Sequence, residues 1–279
     1  MNTLASDTAV EPLGDGRYRA SLSQDWSVWE AWGPNGGYLA SITLRAVGAH
    51  TSFERPASLN CHYLSVPRFD PVEVQVTTLK ATRRAESLRA TMTQNGKPVL
   101  EATVWVVSGA LPGPQRRWTG LPETPPPLVV PTMEERLAAE GWAGFPFFKN
   151  IEFRPVRWIE GGVTRPAGDP LGLAWQRFRP QATFADDPWA DACRATVLID
   201  YSQFSGISWA FPVSEITFVP QSLDLYVAYH DAAADDEWLL CEGRGIAAGG
   251  GLIGGEAKVW SATGSLVANG TQQILCRQL

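Results

Sequence analysis

The chain has 279 residues, with 23 Lys and Arg against 29 Asp and Glu, three His and four Cys. That length admits one large domain or two modest ones, and a hydrophobic share of 44% is enough for a substantial core. The net charge of -6 argues against a general nucleic-acid binder, and no apolar run reaches the roughly 18 residues that a membrane span needs.

Met1 to Gly14 carries no basic region followed by an apolar stretch, so no export signal is visible. A cytoplasmic protein with free thiols at Cys61, Cys193, Cys241 and Cys276 is expected, because the cysteines are scattered and form no CxxC pair. His50, His62 and His230 form no HExxH or HxH pattern. Neither a GxSxG nucleophile elbow nor a phosphate-binding P-loop occurs. No metal site and no cofactor are expected.

In chain order, the first predicted element is a helix over Tyr38 to His50, with apolar residues at Leu39, Ile42, Ala46 and Val47. Asn35 is a good cap for it, and Gly36-Gly37 follow the cap. Three strands with alternating apolar residues come next: Leu59, Cys61, Tyr63; Val72, Val74, Val76; and Leu88, Ala90, Met92. Asn95-Gly96 signals a two-residue hairpin into a fourth strand, Val99 to Val107. Leu111 to Pro131 is proline-rich and reads as a linker.

The pattern then returns. Leading strands are expected at Phe153 to Trp158 and Leu173 to Phe178, and a helix over Trp189 to Ser205. Leu223, Leu225, Val227 and Tyr229 alternate in the phase of the first-half strand. Three more strands follow at Trp238 to Ala247, Gly254 to Ser261 and Ser265 to Cys276. Gly36, Tyr38 and Ser41 fall on Asp200, Ser202 and Ser205 at a spacing of 164 residues, as Pro56 to Leu59 fall on Pro220 to Leu223. Asn95-Gly96 falls on Thr263-Gly264 at a spacing of 168. This spacing places the Gly36 and Asp200 regions at equivalent points of two repeats. Gly249, Gly251 and Gly254 match GxGxxG on paper, but strands flank them on both sides, so a strand edge or bulge is expected rather than a nucleotide site. The expected architecture is α+β, a double hotdog: two tandem units, each a long antiparallel sheet wrapped around a central helix. The units span residues 1–111 and 146–279, with a linker at 112–145.

Asn35-Gly36-Gly37-Tyr38-Leu39, Leu59-Asn60-Cys61-His62-Tyr63-Leu64 and Gln94-Asn95-Gly96-Lys97-Pro98-Val99 resemble the acyl-CoA thioesterase II (TesB-like) family. So do Ser222-Leu223-Asp224 and Val267 to Gln272, and the resemblance covers residues 15 to 278. It implies hydrolysis of fatty acyl-CoA thioesters by a water held by an Asp, a hydroxyl residue and a Gln. Asp200, Ser222 and Gln272 match those positions. Two departures stand out: Asn35 replaces the usual His of an HGG motif, and Ser222 the usual Thr. The resemblance also implies self-association, as a dimer of double hotdogs.

The residues fit that chemistry. Asp200 lies in a largely apolar run, where desolvation raises a carboxylate towards a useful base. Asn35, Gly36 and Gly37 open a helix whose backbone amides suit an oxyanion or a close substrate. Trp26, Trp29 and Trp32 are candidates to pack against an acyl chain, and Arg83-Arg84 to meet CoA phosphates, although a solvated hairpin edge suits the arginines better. Two other readings stay open. One is a non-catalytic acyl or acyl-CoA binding protein on the same scaffold. The other is a hydratase, which wants a His five residues beyond the Asp, where this chain has Ser205.

Overall fold

A computed structural model describes residues 2–29, 33–141, 146–161 and 164–278. The chain opens with a short helix α1 (Leu4–Asp7), strands β1 (Glu11–Gly14) and β2 (Arg17–Ala20), and a small pair, β3 (Ser27–Trp29) and β4 (Gly33–Pro34). Helix α2 (Gly36–His50) leads into β5 (Arg55–Tyr63), β6 (Val72–Ala81), β7 (Ala85–Gln94) and β8 (Lys97–Val107). Helix α3 (Met133–Ala139) precedes β9 (Ile151–Pro155) and β10 (Leu171–Phe178). Helix α4 (Pro188–Ile207) is followed by β11 (Phe218–Ser222), β12 (Asp224–Tyr229), β13 (Leu239–Gly249), β14 (Leu252–Ser261) and β15 (Leu266–Gln278).

Thirteen of these strands form one sheet, in the order β1-β2-β6-β7-β8-β5-β12-β15-β14-β13-β10-β9, with β11 added against β15. First-half strands occupy one side and second-half strands the other. The seam is the antiparallel pair β5–β12, where Leu59 faces Val227 and Cys61 faces Leu225. All four are fully buried against the helices. This is the expected double hotdog, joined into one continuous sheet with β1 and β9 at its edges.

Local chemistry explains the elements. The Asn35 side chain accepts from the Tyr38 amide at 3.0 Å and caps α2. Asn95 and Gly96 both adopt positive φ, 51° and 77°, as a two-residue hairpin turn requires. Gly250 and Gly251, at φ 60° and 82°, form the tip between β13 and β14. Of the motif glycines, Gly249 and Gly254 lie in the strand ends beside the register shift at Gly245/Ala247, as a strand edge or bulge predicts, and only Gly251 joins the turn, where two consecutive positive-φ residues reverse the chain.

Three other expectations need correction. Leu223 is 37% exposed and out of phase with Leu225 and Val227, because it falls in the break between β11 and β12. Trp26 is 1% exposed, stacks on Tyr38 with centroids 5.2 Å apart, and donates its indole N–H to Asp7 at 2.9 Å. It belongs to the core and does not line the cavity at the active site. The Trp29 side chain and Trp32 lie outside the described residues. Finally, the segment expected as a linker, 112–145, carries α3, whose Met133 and Leu137 wall that cavity.

Candidate active site

Helices α2 and α4 run antiparallel, and a close approach between them at Gly37 builds the site. A Cβ on Gly37 would lie 2.8 Å from the Val197 Cα and 2.9 Å from the Asp200 Cβ, so only glycine lets the helices come this near. Gly36 and Asp200 are therefore not equivalent positions of two repeats, as their spacing suggested. They face each other. Counted from the caps Asn35 and Asp187, the counterpart of Asp200 is Gly48, and the counterpart of Gly37 is Trp189. At that second crossing the Trp189 ring sits over Gly48, and Arg45 pairs with Asp187 at 2.5 Å. The pseudo-symmetric place is thus filled by an indole and an ion pair. One site is built from both halves.

Asp200 is 6% exposed. Its Oδ2 accepts from the Gly37 amide and from the Asn35 Nδ2, both at 2.9 Å. Burial pushes its pKa up to about 6, against the opposing pull of the Gly37 amide, the Asn35 side chain and the Ser222 hydroxyl. Its Oδ1 has no direct hydrogen-bond partner in the protein.

Gln272 and Ser222 come from neighbouring strands. Along β15, Gln272 and Ile274 point inward while Thr271, Gln273 and Leu275 point out. Ser222 on β11 pairs with Ile274 and so shares its inward face. Asp224 fixes the break that follows by accepting from the Gln273 amide at 2.8 Å. Gln272, 4% exposed, donates its Nε2 to the Asp200 carbonyl at 3.4 Å, which leaves its Oε1 without a protein partner.

Tyr63, at the end of β5, belongs to one of the family-like motifs but carried no assigned role. Its hydroxyl is buried and unpartnered. A methyl-sized point on Gly36 lies 3.0 Å from that hydroxyl and 3.1 Å from the Asp200 Oδ1. Burial holds the phenol well above its ordinary pKa, so it is a protonated donor. The signal that could have found it was the strand's phase, which turns Tyr63 inward with Leu59 and Cys61.

Asn35, Gly36, Tyr63, Asp200, Ser222 and Gln272 all line one cavity of about 920 Å³. The rest of its wall is mostly apolar, including Leu39, Leu137, Phe204 and Ile216. That combination suits an apolar chain ending in a polar, reactive group. Arg83 and Arg84 sit in the exposed turn between β6 and β7 and do not line it. Among the described residues, no group of three or more His, Cys, Asp or Glu is placed to hold a metal ion.

The acyl-CoA thioesterase N-terminal domain model matches residues 22–107, and the C-terminal domain model matches residues 122–276. The chain belongs to the acyl-CoA thioesterase family. This thioesterase is similar to an acyl-CoA thioesterase II from Mycobacterium marinum, at 20% identity over 99% of each chain and a TM-score of 0.79. It is also similar to a hot dog fold protein from Alicyclobacillus acidocaldarius, at 19% identity over 100% of this chain and 99% of the other, with a TM-score of 0.81. A dehydratase domain from Mycobacterium tuberculosis, in complex with C12:1-CoA, follows at 13% identity, 99% and 100% coverage and a TM-score of 0.56. These likenesses concern the fold, which therefore serves more than one chemistry. No curated protein matches the chain. Among the described residues, no helix of the thioesterase is long and apolar enough to cross a membrane.

Proposed function

We propose that Asp200, Ser222 and Gln272 hold and activate the water with which this thioesterase hydrolyses acyl-CoA. One observation carries the reading: two unpartnered acceptors and one unpartnered donor line the same buried end of the cavity. A water has two hydrogens to give. One goes to the Asp200 Oδ1 and the other to the Gln272 Oε1, which leaves a lone pair aimed at the thioester carbon. Buried polar atoms without partners are costly, so such a set is expected where a reacting group completes it.

The steps follow from that placement. Asp200 takes a proton from the water as the oxygen bonds to the carbonyl carbon, and the carbonyl electrons move to oxygen. The Tyr63 hydroxyl and the Gly36 amide are the donors for that oxyanion. The Gly37 amide is not, because Asp200 already occupies it. Gly36 opens α2, where an amide has no acceptor within the helix. The C–S bond then breaks, the carbonyl re-forms, and the thiolate of CoA takes the proton from Asp200. Asn35 holds Asp200 in place with its Nδ2 while capping α2 with its Oδ1. The Ser222 hydroxyl stands beside the same carboxyl on the cavity wall and donates to the water. The apolar wall receives the acyl chain.

The two halves, residues 1–111 and 146–279, act on this reading as one catalytic unit. Self-association belongs to the proposal, supported by Trp105 and Tyr226, each 41% exposed on the outer face near the β5–β12 seam. So does a cytoplasmic setting, supported by four free cysteines.

The test is release of CoA thiol from acyl-CoAs of varied length. The wild type should release thiol, with a rate that rises with pH through about 6 as Asp200 ionises. Asp200→Asn should lose about 10² to 10⁴-fold of that rate. Tight acyl-CoA binding without any thiol release would leave a binding protein instead. Release that is unaffected by Asp200→Asn would mean that the site is misplaced.

A further inference from the structure

A buried arginine stands in the apolar wall of the active-site cavity. Arg165 is 8% exposed and lines the cavity beside Trp158, Ile159 and Trp209. One guanidinium nitrogen donates to the Ser208 carbonyl at 2.8 Å, and the plane lies over the Trp209 ring at 4.5 Å. The other terminal nitrogen, Nη1, is buried and has no hydrogen-bond partner. Among the described residues, no carboxylate lies within ion-pair distance of Arg165. Burial lowers its pKa, and the charge of Glu140, on the same cavity wall, opposes that pull.

The same chain shows what a satisfied buried arginine looks like. Arg194, fully buried, meets Asp191 and the carbonyls of Ala182, Ala233 and Asp236. Arg194 ties loops together and does not line the active-site cavity. Arg165 has an unspent donor, and its surroundings are the apolar wall rather than solvent. A desolvated guanidinium with one unspent terminal donor is a receptor for an anion, carboxylate above all.

Its distance from the reacting centre is set by α4. Ser208, which anchors Arg165, lies eight residues beyond Asp200, or about 12 Å along a helix rising 1.5 Å per residue. An acyl chain whose thioester sits at Asp200 and whose methylenes run along Phe204 towards Trp209 brings its far end to Arg165.

We propose that Arg165 binds a carboxylate at the far end of the acyl chain, so that the preferred substrates are the CoA thioesters of medium-length dicarboxylic acids. This rests on the hydrolase reading above and adds the substrate class. Glu140 would disfavour the same anion, and Arg165 outweighs it because the guanidinium is the group with an unmade hydrogen bond.

The experiment is a competition between octanoyl-CoA and suberyl-CoA, which differ in the terminal carboxylate, read as the ratio of their kcat/KM values. The wild type should favour suberyl-CoA by about tenfold or more, the usual weight of one charge-assisted hydrogen bond. Arg165→Met should reverse the ratio, and Arg165→Lys, which keeps the charge and loses the fork, should leave it in between. A wild-type preference for octanoyl-CoA overturns the proposal without any variant, so a variant that misfolds does not shelter it. A ratio unmoved by Arg165→Met also overturns it, because the arginine then only staples its loop to the end of α4. Inhibition by free CoA is measured in parallel. If Arg165→Met weakens that inhibition and leaves the acyl ratio alone, the anion is a phosphate of CoA and the acyl assignment is wrong. If neither thioester is cleaved, the hydrolase reading itself fails, and this inference with it.

Discussion

Replacing Asp200 with Asn should remove activity and make the folded protein more stable, by an amount that depends on pH. The carboxyl is raised from 3.8 to about 6 by burial. Between those two values the folded state binds more protons than the unfolded state, so the ionised side chain weakens folding as pH rises through the window. Stability linked to this group is fully present below pH 3.8 and has been lost once the pH exceeds about 6. At about 1.4 kcal/mol per pH unit, the whole shift corresponds to roughly 3 kcal/mol at pH 8, about 1.6 at pH 5 and about 0.6 at pH 4. The substituted asparagine carries no charge and keeps the local bonds, since its side-chain carbonyl accepts from Gly37 and Asn35 in place of the Asp200 Oδ2. The assay is urea denaturation of both proteins from pH 4 to pH 8, taking the difference so that other titrating groups cancel. The advantage of Asp200→Asn should grow with pH to a few kcal/mol and level off above pH 7. A variant less stable than wild type at pH 8, or a difference independent of pH, refutes the claim that Asp200 is a desolvated base held at a cost to folding.

Gln272→Ala should lower kcat by about tenfold to a hundredfold through loss of one positioned hydrogen bond, with an unchanged circular dichroism spectrum. Asn35→Ala should cost about 1 kcal/mol in stability as α2 loses its cap. It should also shift the rising limb of the pH–rate profile upward, since Asp200 loses a donor that favours its ionised form. Gly37→Ala should cost about 1 to 3 kcal/mol, because its methyl would meet Val197 and Asp200 inside van der Waals distance. Its thermal midpoint and rate should fall together.

The sheet was largely legible in the sequence because a strand announces itself locally. Val72, Val74 and Val76 alternate on one face whatever lies beneath, and Asn95-Gly96 dictates its own turn. The α2 cap is equally local. Asp15-Gly16, at φ 52° and 71°, carries the same signal for the β1–β2 turn. Site residues were found by resemblance, because nothing in the local pattern of Gln272 separates a solvent-facing glutamine from a buried one. The phase of β15 decides that, through its neighbour Ile274.

Other features were illegible for a physical reason: they depend on how two helices cross. The spacing of 164 residues aligned Gly36 with Asp200, yet the antiparallel crossing sets them face to face, with Gly48 and Trp189 at the matching place. Neither the filling of that second place nor the breaking of strand phase at Leu223 has a signature within a short window. Met133, Leu137 and Arg165 reach the cavity from segments whose composition reads as linker or loop. Their role comes from long-range packing alone.

The central claim is that water, positioned by Asp200 and its neighbours, attacks the thioester directly. A single turnover in heavy-oxygen water tests it most closely, with enzyme in excess over octanoyl-CoA and both protein and product acid analysed by mass. Direct attack predicts heavy oxygen in the acid released in that first turnover and none in the protein. An unlabelled acid, with the heavy oxygen left on the Asp200 carboxyl, would show that Asp200 attacks the thioester itself and would contradict the account.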